Sequence, residues 1–160
     1  NVEGETSEVD LIRREQSILT EEDIQFIRTA EIDLPFCFYK WLFLRGEKPT
    51  LSEIKNSGMS KAEKKEMKAM KKDLARIRPY QKWPEIKNLT EVDQKTFSLP
   101  SGHTVAAQIT AERLSKKYPH LREGLFALAN KISNSRVQGG VHYPSDIEAG
   151  KALAKGLLAR

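Results

Sequence analysis

A single cysteine, Cys37, stands in 160 residues, so no disulfide can form within the chain and a cysteine-rich zinc site is excluded. Long apolar runs are missing too. A membrane-crossing helix needs roughly 20 consecutive apolar residues, and the best stretch, Leu34 to Leu44, is short and interrupted by Lys40. Glycine and proline are modest at 9 and 7, which excludes collagen-like and low-complexity chains. The chain opens without an initiator methionine and without a charged-then-apolar leader, so it reads as a processed or trimmed product, in which a removed signal peptide would be invisible.

What is present suits one soluble globular domain: 39% hydrophobic and 31% charged residues in 18.2 kDa. The net charge of +5 is unevenly spread. Residues 1–33 sum to −7 and the remaining 127 to +12. A basic body behind an acidic N-terminus favours anionic partners such as phosphate esters, nucleic acid or acidic lipid. Residues 1–19 read as an acidic arm and 20–160 as the helical domain.

No segment alternates with period two, so an all-α, single-domain helical bundle is expected. Thr20-Glu-Glu-Asp reads as a helix start, with Ile24, Ile27 and Ala30 inward and Pro35 as its break. Phe36 to Leu44 holds five aromatics and reads as a buried helix. Ser60-Lys-Ala-Glu63 has capping-box spacing and opens a Lys-rich helix to about Ile77, with Met67, Met70 and Leu74 facing the core and Lys71 on the border of that stripe. A loop of roughly twenty residues follows, containing Tyr80, Trp83, Pro84 and Pro100; loops of that length are usually functional. His103 to Tyr118 is the next helix. Leu121, Leu125, Leu128 and Ile132 form a stripe whose next position is Arg136, and an arginine on a core stripe needs an anionic partner. Gly139-Gly140 ends that helix and Pro144 starts the last one.

Three clusters carry the chemistry: Lys71-x6-Arg78-Pro79, Pro100-Ser101-Gly102-His103, and Ser135-Arg136-x5-His142-x3-Asp146. Taken singly, each has a plainer reading as surface charge, a turn with its cap, or an ion cluster at a helix junction. Together they match a phosphate. Arg78 and Arg136 can give bidentate hydrogen bonds, Lys71 adds a point charge, and Ser101-Gly102 opens a helix whose N–H groups favour anions. His142 and Asp146 are four apart, so the carboxylate can hold one imidazole N–H and aim the other nitrogen outward as a nucleophile. His103 stands at a helix start, suited to protonate a leaving oxygen. His120 has no such companions and reads as a solvated loop histidine.

These three clusters resemble the tripartite signature of the type 2 phosphatidic acid phosphatase superfamily, which includes bacterial class A acid phosphatases and vanadium haloperoxidases. Arg76-Ile77-Arg78-Pro79-Tyr80 and Ser135-Arg136-Val137 look most like the soluble acid phosphatases, although the chain is shorter than those and residues 1–60 carry no matching signature. The resemblance implies a helical bundle of the acid phosphatase/vanadium haloperoxidase type. It implies that Lys71, Arg78, Ser101, Gly102 and Arg136 bind the phosphoryl group, that His142 becomes a phosphohistidine with Asp146 orienting it, and that His103 serves as general acid and base. No cofactor or metal is then required, vanadate is expected as an inhibitor, and a mildly acidic pH optimum is expected. The partner is a small phosphorylated substrate, with a lipid phosphate or polyprenyl diphosphate as an alternative. The location expected from the resemblance is periplasmic or secreted. Two further alternatives are a vanadate-dependent haloperoxidase, which the short chain disfavours, and a basic helical nucleic-acid-binding module. The Lys61–Lys72 helix lacks the interleaved aromatics that such a module uses. His-Glu-x-x-His and a Walker P-loop are absent, and the residue six after Cys37 is Phe43 rather than the arginine of a cysteine-phosphatase loop. The sequence leaves the substrate and the oligomeric state open.

Overall fold

In the computed structural model, which describes residues 2–160, every regular element is helical. The helices are α1 Val2–Ser17, α2 Glu21–Ile32, α3 Leu34–Phe43, α4 Leu51–Asn56, α5 Lys61–Leu74, α6 Pro79–Lys82, α7 Gly102–Lys117, α8 Arg122–Gln138 and α9 Pro144–Leu158, with a 3-10 turn at Pro119–Leu121. Their starts are written locally. Thr20, Thr50 and Ser60 each accept from the backbone N–H three residues on, while the Asp23, Glu53 or Glu63 carboxylate accepts from the cap's own N–H. These reciprocal boxes satisfy two donors that a helix start otherwise leaves unpaired.

Helix α7 forms the centre, packed against α8 and α9, with α2 laid on α8 and α3 against α2 and α4. Ala107, Ala111, Leu114 and Tyr118 of α7 meet Leu125, Leu128, Ala129 and Ile132 of α8 in the main core. Helix α9 crosses α7 where Gly150 lies. A Cβ there would come within 2.9 Å of the Ser101 carbonyl oxygen, so the missing side chain is what lets α9 carry its N-terminus up to the start of α7. Gly140 has φ +79°, and a Cβ on it would lie 2.1 Å from the Lys87 carbonyl oxygen. That turn is the dock for α6 and the segment after it: Tyr80 N–H donates to Gly140 O at 3.1 Å and Leu89 N–H to Gly139 O at 2.9 Å.

Several local expectations change. Pro35 lies in the first turn of α3, where its missing N–H costs nothing, and Asp33 both ends α2 and caps α3 by accepting from Phe36 N–H. The acidic N-terminal stretch is helical. Val9 and Ile12 of α1 are buried against Ile86, Val137, Tyr143 and Ile147, and Gln16 donates to the Lys87 and Gln138 carbonyls at 2.7 and 3.0 Å. The aromatic helix α3 is only partly a core element. Phe38 is fully buried, whereas Phe36, Tyr39 and Phe43 stack in a row along the outside, with Phe43 60% exposed. Spacing places aromatics on a helix but leaves open how much of its circumference the neighbours cover. The same applies to α5, which ends at Leu74 with Ala75 in the left-handed region: Met67 is buried, while Met70 and Leu74 lie on the surface.

Candidate active site

The three clusters, 71 to 146 in sequence, converge at the N-terminal ends of α7 and α9. A cavity of about 490 Å³ has Lys71, Arg78, Gly102, His103 and His142 in its wall, together with Glu31, Gln94 and Thr96. His142 is fully buried at its inner end. Its Nδ1 faces Asp146 Oδ2 at 3.4 Å, and its Nε2 accepts from Arg78 Nη1 at 3.2 Å. The proton therefore sits on Nδ1, and Nε2 carries the lone pair that faces the arginine.

Every Arg78 donor is engaged. Nε donates to Thr96 O (2.8 Å), Nη1 to Val141 O (3.2 Å) and His142, and Nη2 to Thr96 Oγ1 (2.9 Å) and Phe97 O (3.4 Å). Lys71 is buried and gives one hydrogen bond, to Phe97 O at 3.0 Å. Thus the segment after α6 is held in place by the two cations of the first cluster. Arg136 differs. Its side chain is wholly buried, Nη2 donates to Glu31 Oε1 at 3.1 Å, and Nε and Nη1 have no partner. Ser101 is buried behind the wall, and its hydroxyl accepts from Thr104 N–H at 3.2 Å, so in this state it caps α7. The third histidine, His120, is exposed as expected, but it lies in the Pro119–Leu121 3-10 turn and its Nε2 is 3.0 Å from the Glu47 carboxylate.

A family model described as PAP2 superfamily matches residues 64–159, a stretch that contains all three clusters. The chain belongs to the PAP2 superfamily. Among its relatives, a non-specific acid phosphatase of Providencia stuartii is 34% identical over 65 residues, 41% of this chain and 26% of that protein, so the chain spans about a quarter of that relative's length. Among solved structures, that of the first transmembrane PAP2 type phosphatidylglycerolphosphate phosphatase from Bacillus subtilis aligns over 99% of this chain and 88% of its own, with a TM-score of 0.61 and 19% identity. That likeness is one of fold. Among the described residues of this PAP2 chain, no helix is long and apolar enough to cross a membrane.

Two groups essential to the geometry were given no role at the site from sequence. Glu31, at the end of α2, accepts from Arg136 and from the Gln94 amide, and its carboxylate lies 3.6 Å from His103 Nε2. Its main-chain carbonyl accepts from His103 Nε2 at 3.0 Å. Nothing in the sequence marks a glutamate forty residues before the first cluster. Arg76 is the other. Its Nη1 donates to Asp146 Oδ1 at 2.9 Å, its Nη2 lies 3.2 Å from Glu8, and its guanidinium covers the Tyr143 ring at 3.8 Å. Helix α1 thereby reaches the histidine through Glu8, Arg76 and Asp146. Asp146 Oδ2 also accepts from Tyr143 N–H at 2.8 Å and from the Ser98 hydroxyl.

This crowding of cations sets the protonation states of the PAP2 site. Burial, reinforced by Arg78, Arg136 and Lys71, holds His142 well below the usual imidazole range. Burial and Arg136 push His103 down to about 4, against the opposing pull of Glu31. Lys71 is pushed down to about 7 by burial and by Arg78. Burial pushes the Glu31 carboxyl up, but Arg136, His103 and its hydrogen bonds outweigh that and leave it lowered. Asp146 is raised, with burial outweighing its donors. The sequence sets Asp146 and a bound phosphate, which raise His142, against Lys71, Arg78 and Arg136, which lower both histidines; in the folded site desolvation and the cations prevail.

Proposed function

We propose that the chain is a phosphatase that hydrolyses phosphate monoesters through a phosphohistidine, without a metal. The observation that carries this reading is Arg136: a fully buried guanidinium with two unpartnered nitrogens, whose charge is felt by Lys71, Arg78, His103 and His142. Buried donors left unpaired cost free energy, and a tetrahedral dianion at this point satisfies them. Arg136 Nε and Nη1, the remaining Lys71 N–H groups and the α7 N-terminus then surround it.

When the anion accepts from Arg78 Nη1, His142 Nε2 is released from that hydrogen bond and its lone pair is free to attack phosphorus. The P–N bond forms as the P–O bond to the alcohol breaks. His103 holds its Nε2 proton on the Glu31 carbonyl, so Nδ1 is the atom that gains and gives up a proton. The dianion raises its affinity for that proton, which passes to the leaving oxygen. Neutral Nδ1 then takes a proton from water as water attacks the phosphohistidine, releasing phosphate and restoring His142. The cations supply the charge stabilisation that a metal ion provides elsewhere. Orthovanadate, whose five-coordinate form resembles the transition state, is expected to inhibit, and EDTA to leave activity intact.

A lipid phosphate as substrate is the second reading, favoured by the apolar wall of the cavity, where Ile32, Leu34, Pro35 and Met59 lie. A periplasmic or secreted setting belongs to the same proposal and is checked by cell fractionation. The decisive experiment is trapping. With an activated aryl phosphate, the His103→Ala variant is expected to accumulate an acid-labile, base-stable phosphoenzyme, and His142→Ala to form none. A phosphoenzyme that survives acid, or one that persists in His142→Ala, refutes the mechanism.

A further inference from the structure

The cavity holds more positive charge than one phosphoryl group needs. Lys64, Lys68 and Lys71 all line it from α5, and their spacing of four and three residues puts them on one face of that helix. Lys71 is buried, whereas Lys64 and Lys68 are exposed, so the row runs outward from the phosphate site towards the mouth. At 1.5 Å per residue, Lys68 lies about 4.5 Å and Lys64 about 10.5 Å along the axis from Lys71. Neither outer lysine has a carboxylate partner among the described residues. The two acidic groups nearest to them on the same helix are engaged elsewhere, Glu63 with Arg113 at 2.8 Å and Glu66 with Arg160 at 2.7 Å, and the third, Asp73, lies beyond Lys71. On the phosphatase reading, the two charges of a phosphate ester fall to Arg78, Arg136 and Lys71. The remaining lining includes Ile32, Leu34, Pro35, Met59 and Ala106, which carry no charge, and its one carboxylate, Glu31, is engaged by Arg136 and Gln94.

We propose that Lys64 and Lys68 form a second anion subsite, so that the preferred substrates are phosphate esters whose alcohol portion carries a further anionic group, either phosphate or carboxylate. This rests on the phosphatase reading of the inner site. The bond that breaks is still the ester P–O bond at His142, and the second anion is held unreacted and leaves with the alcohol.

The test compares paired substrates that differ only in the second anion: a hexose 1,6-bisphosphate against the hexose 6-phosphate, and 3-phosphoglycerate against glycerol 3-phosphate. In the unaltered protein at low salt, kcat/KM is expected to favour the doubly anionic member at least tenfold in one or both pairs. In Lys64→Gln/Lys68→Gln that preference falls to about twofold or less, while p-nitrophenyl phosphate turnover stays within threefold. Preference in one pair or both names the anion accepted. No preference in either pair, or a preference that survives the double substitution, overturns the subsite. Calorimetry on His142→Ala, with and without the two lysine changes, reads the same ratios as binding constants. The proposal is therefore decided even where no substrate is turned over, an outcome that refutes the phosphatase reading alone.

Discussion

Replacing Glu31 with alanine removes the carboxylate that holds Arg136, and the structure sets the size of the effect. Both side chains are inaccessible, at 7% and 0% exposure, and Arg136 already has two unpartnered nitrogens. Without Glu31 its third, Nη2, is orphaned as well. Removing one partner of a buried ion pair costs about 3–5 kcal/mol. For a chain of this size each kcal/mol is worth roughly 2–4 °C, so the melting temperature in phosphate-free buffer at pH 7 should fall by about 6–20 °C. Glu31→Gln keeps an acceptor and should lose clearly less. Phosphate at a hundred times its Kd stabilises any binding protein by about 2.7 kcal/mol, and at equal concentration should restore more in Glu31→Ala, because the anion takes the place of the lost carboxylate beside Arg136. Glu31 is lowered on folding from 4.5, so its contribution is present above that pH and disappears as pH falls through the folded value; the gap between the two proteins should close in the same direction. Circular dichroism melts with and without phosphate, from pH 7 to 3.5, measure all of this. A Glu31→Ala protein within about 1 kcal/mol of the parent in phosphate-free buffer at pH 7 refutes the assignment of Glu31 as the counter-ion of Arg136.

Lys71, held at about 7 by burial and Arg78, should lose its proton as pH rises through that value, so affinity for orthophosphate, corrected for the ligand's own ionisation, should weaken between pH 6 and 8.5. Lys71→Arg, which keeps its charge, should flatten that dependence, and a flat profile in the unaltered protein removes Lys71 from the anion site. The same proton forms the alkaline limb expected for kcat/KM, with neutral His142 required on the acidic side, so an optimum in mild acid remains the expectation. Asp146→Asn should lower kcat by about a hundredfold or more and move the acidic limb to lower pH, since neutral asparagine no longer favours protonated His142; an unmoved limb means that another group titrates there. Glu8→Ala, which loosens Arg76 and so Asp146, should lower kcat several-fold with little change in KM, and steady-state kinetics showing the reverse would contradict the chain of contacts from α1.

Short-range chemistry was legible in the sequence. The helix start at Thr20, the capping box at Ser60, the apolar stripe of α8, the Gly139-Gly140 stop and Pro144 at the start of α9 each act within a few residues, and each stands where its pattern places it. The motif residues were legible for a related reason: the residue types that grip a phosphate are few, and Arg136 on a core stripe required an anion in advance of any fold. What the sequence did not contain was the partnering across distance. Glu31 and Arg136 are 105 residues apart, and Arg76 and Asp146 are 70 apart. No periodicity links such positions, because the packing of whole helices, and not the local backbone, brings them together. The docking of α1, the solvent-facing aromatics of α3 and the exposure of Met70 and Leu74 depend equally on which helix faces find neighbours. The protonation states follow last. Two histidines with ordinary sequence surroundings become poor bases only once burial strips their water and three cations are packed beside them, and that environment exists in the tertiary structure alone.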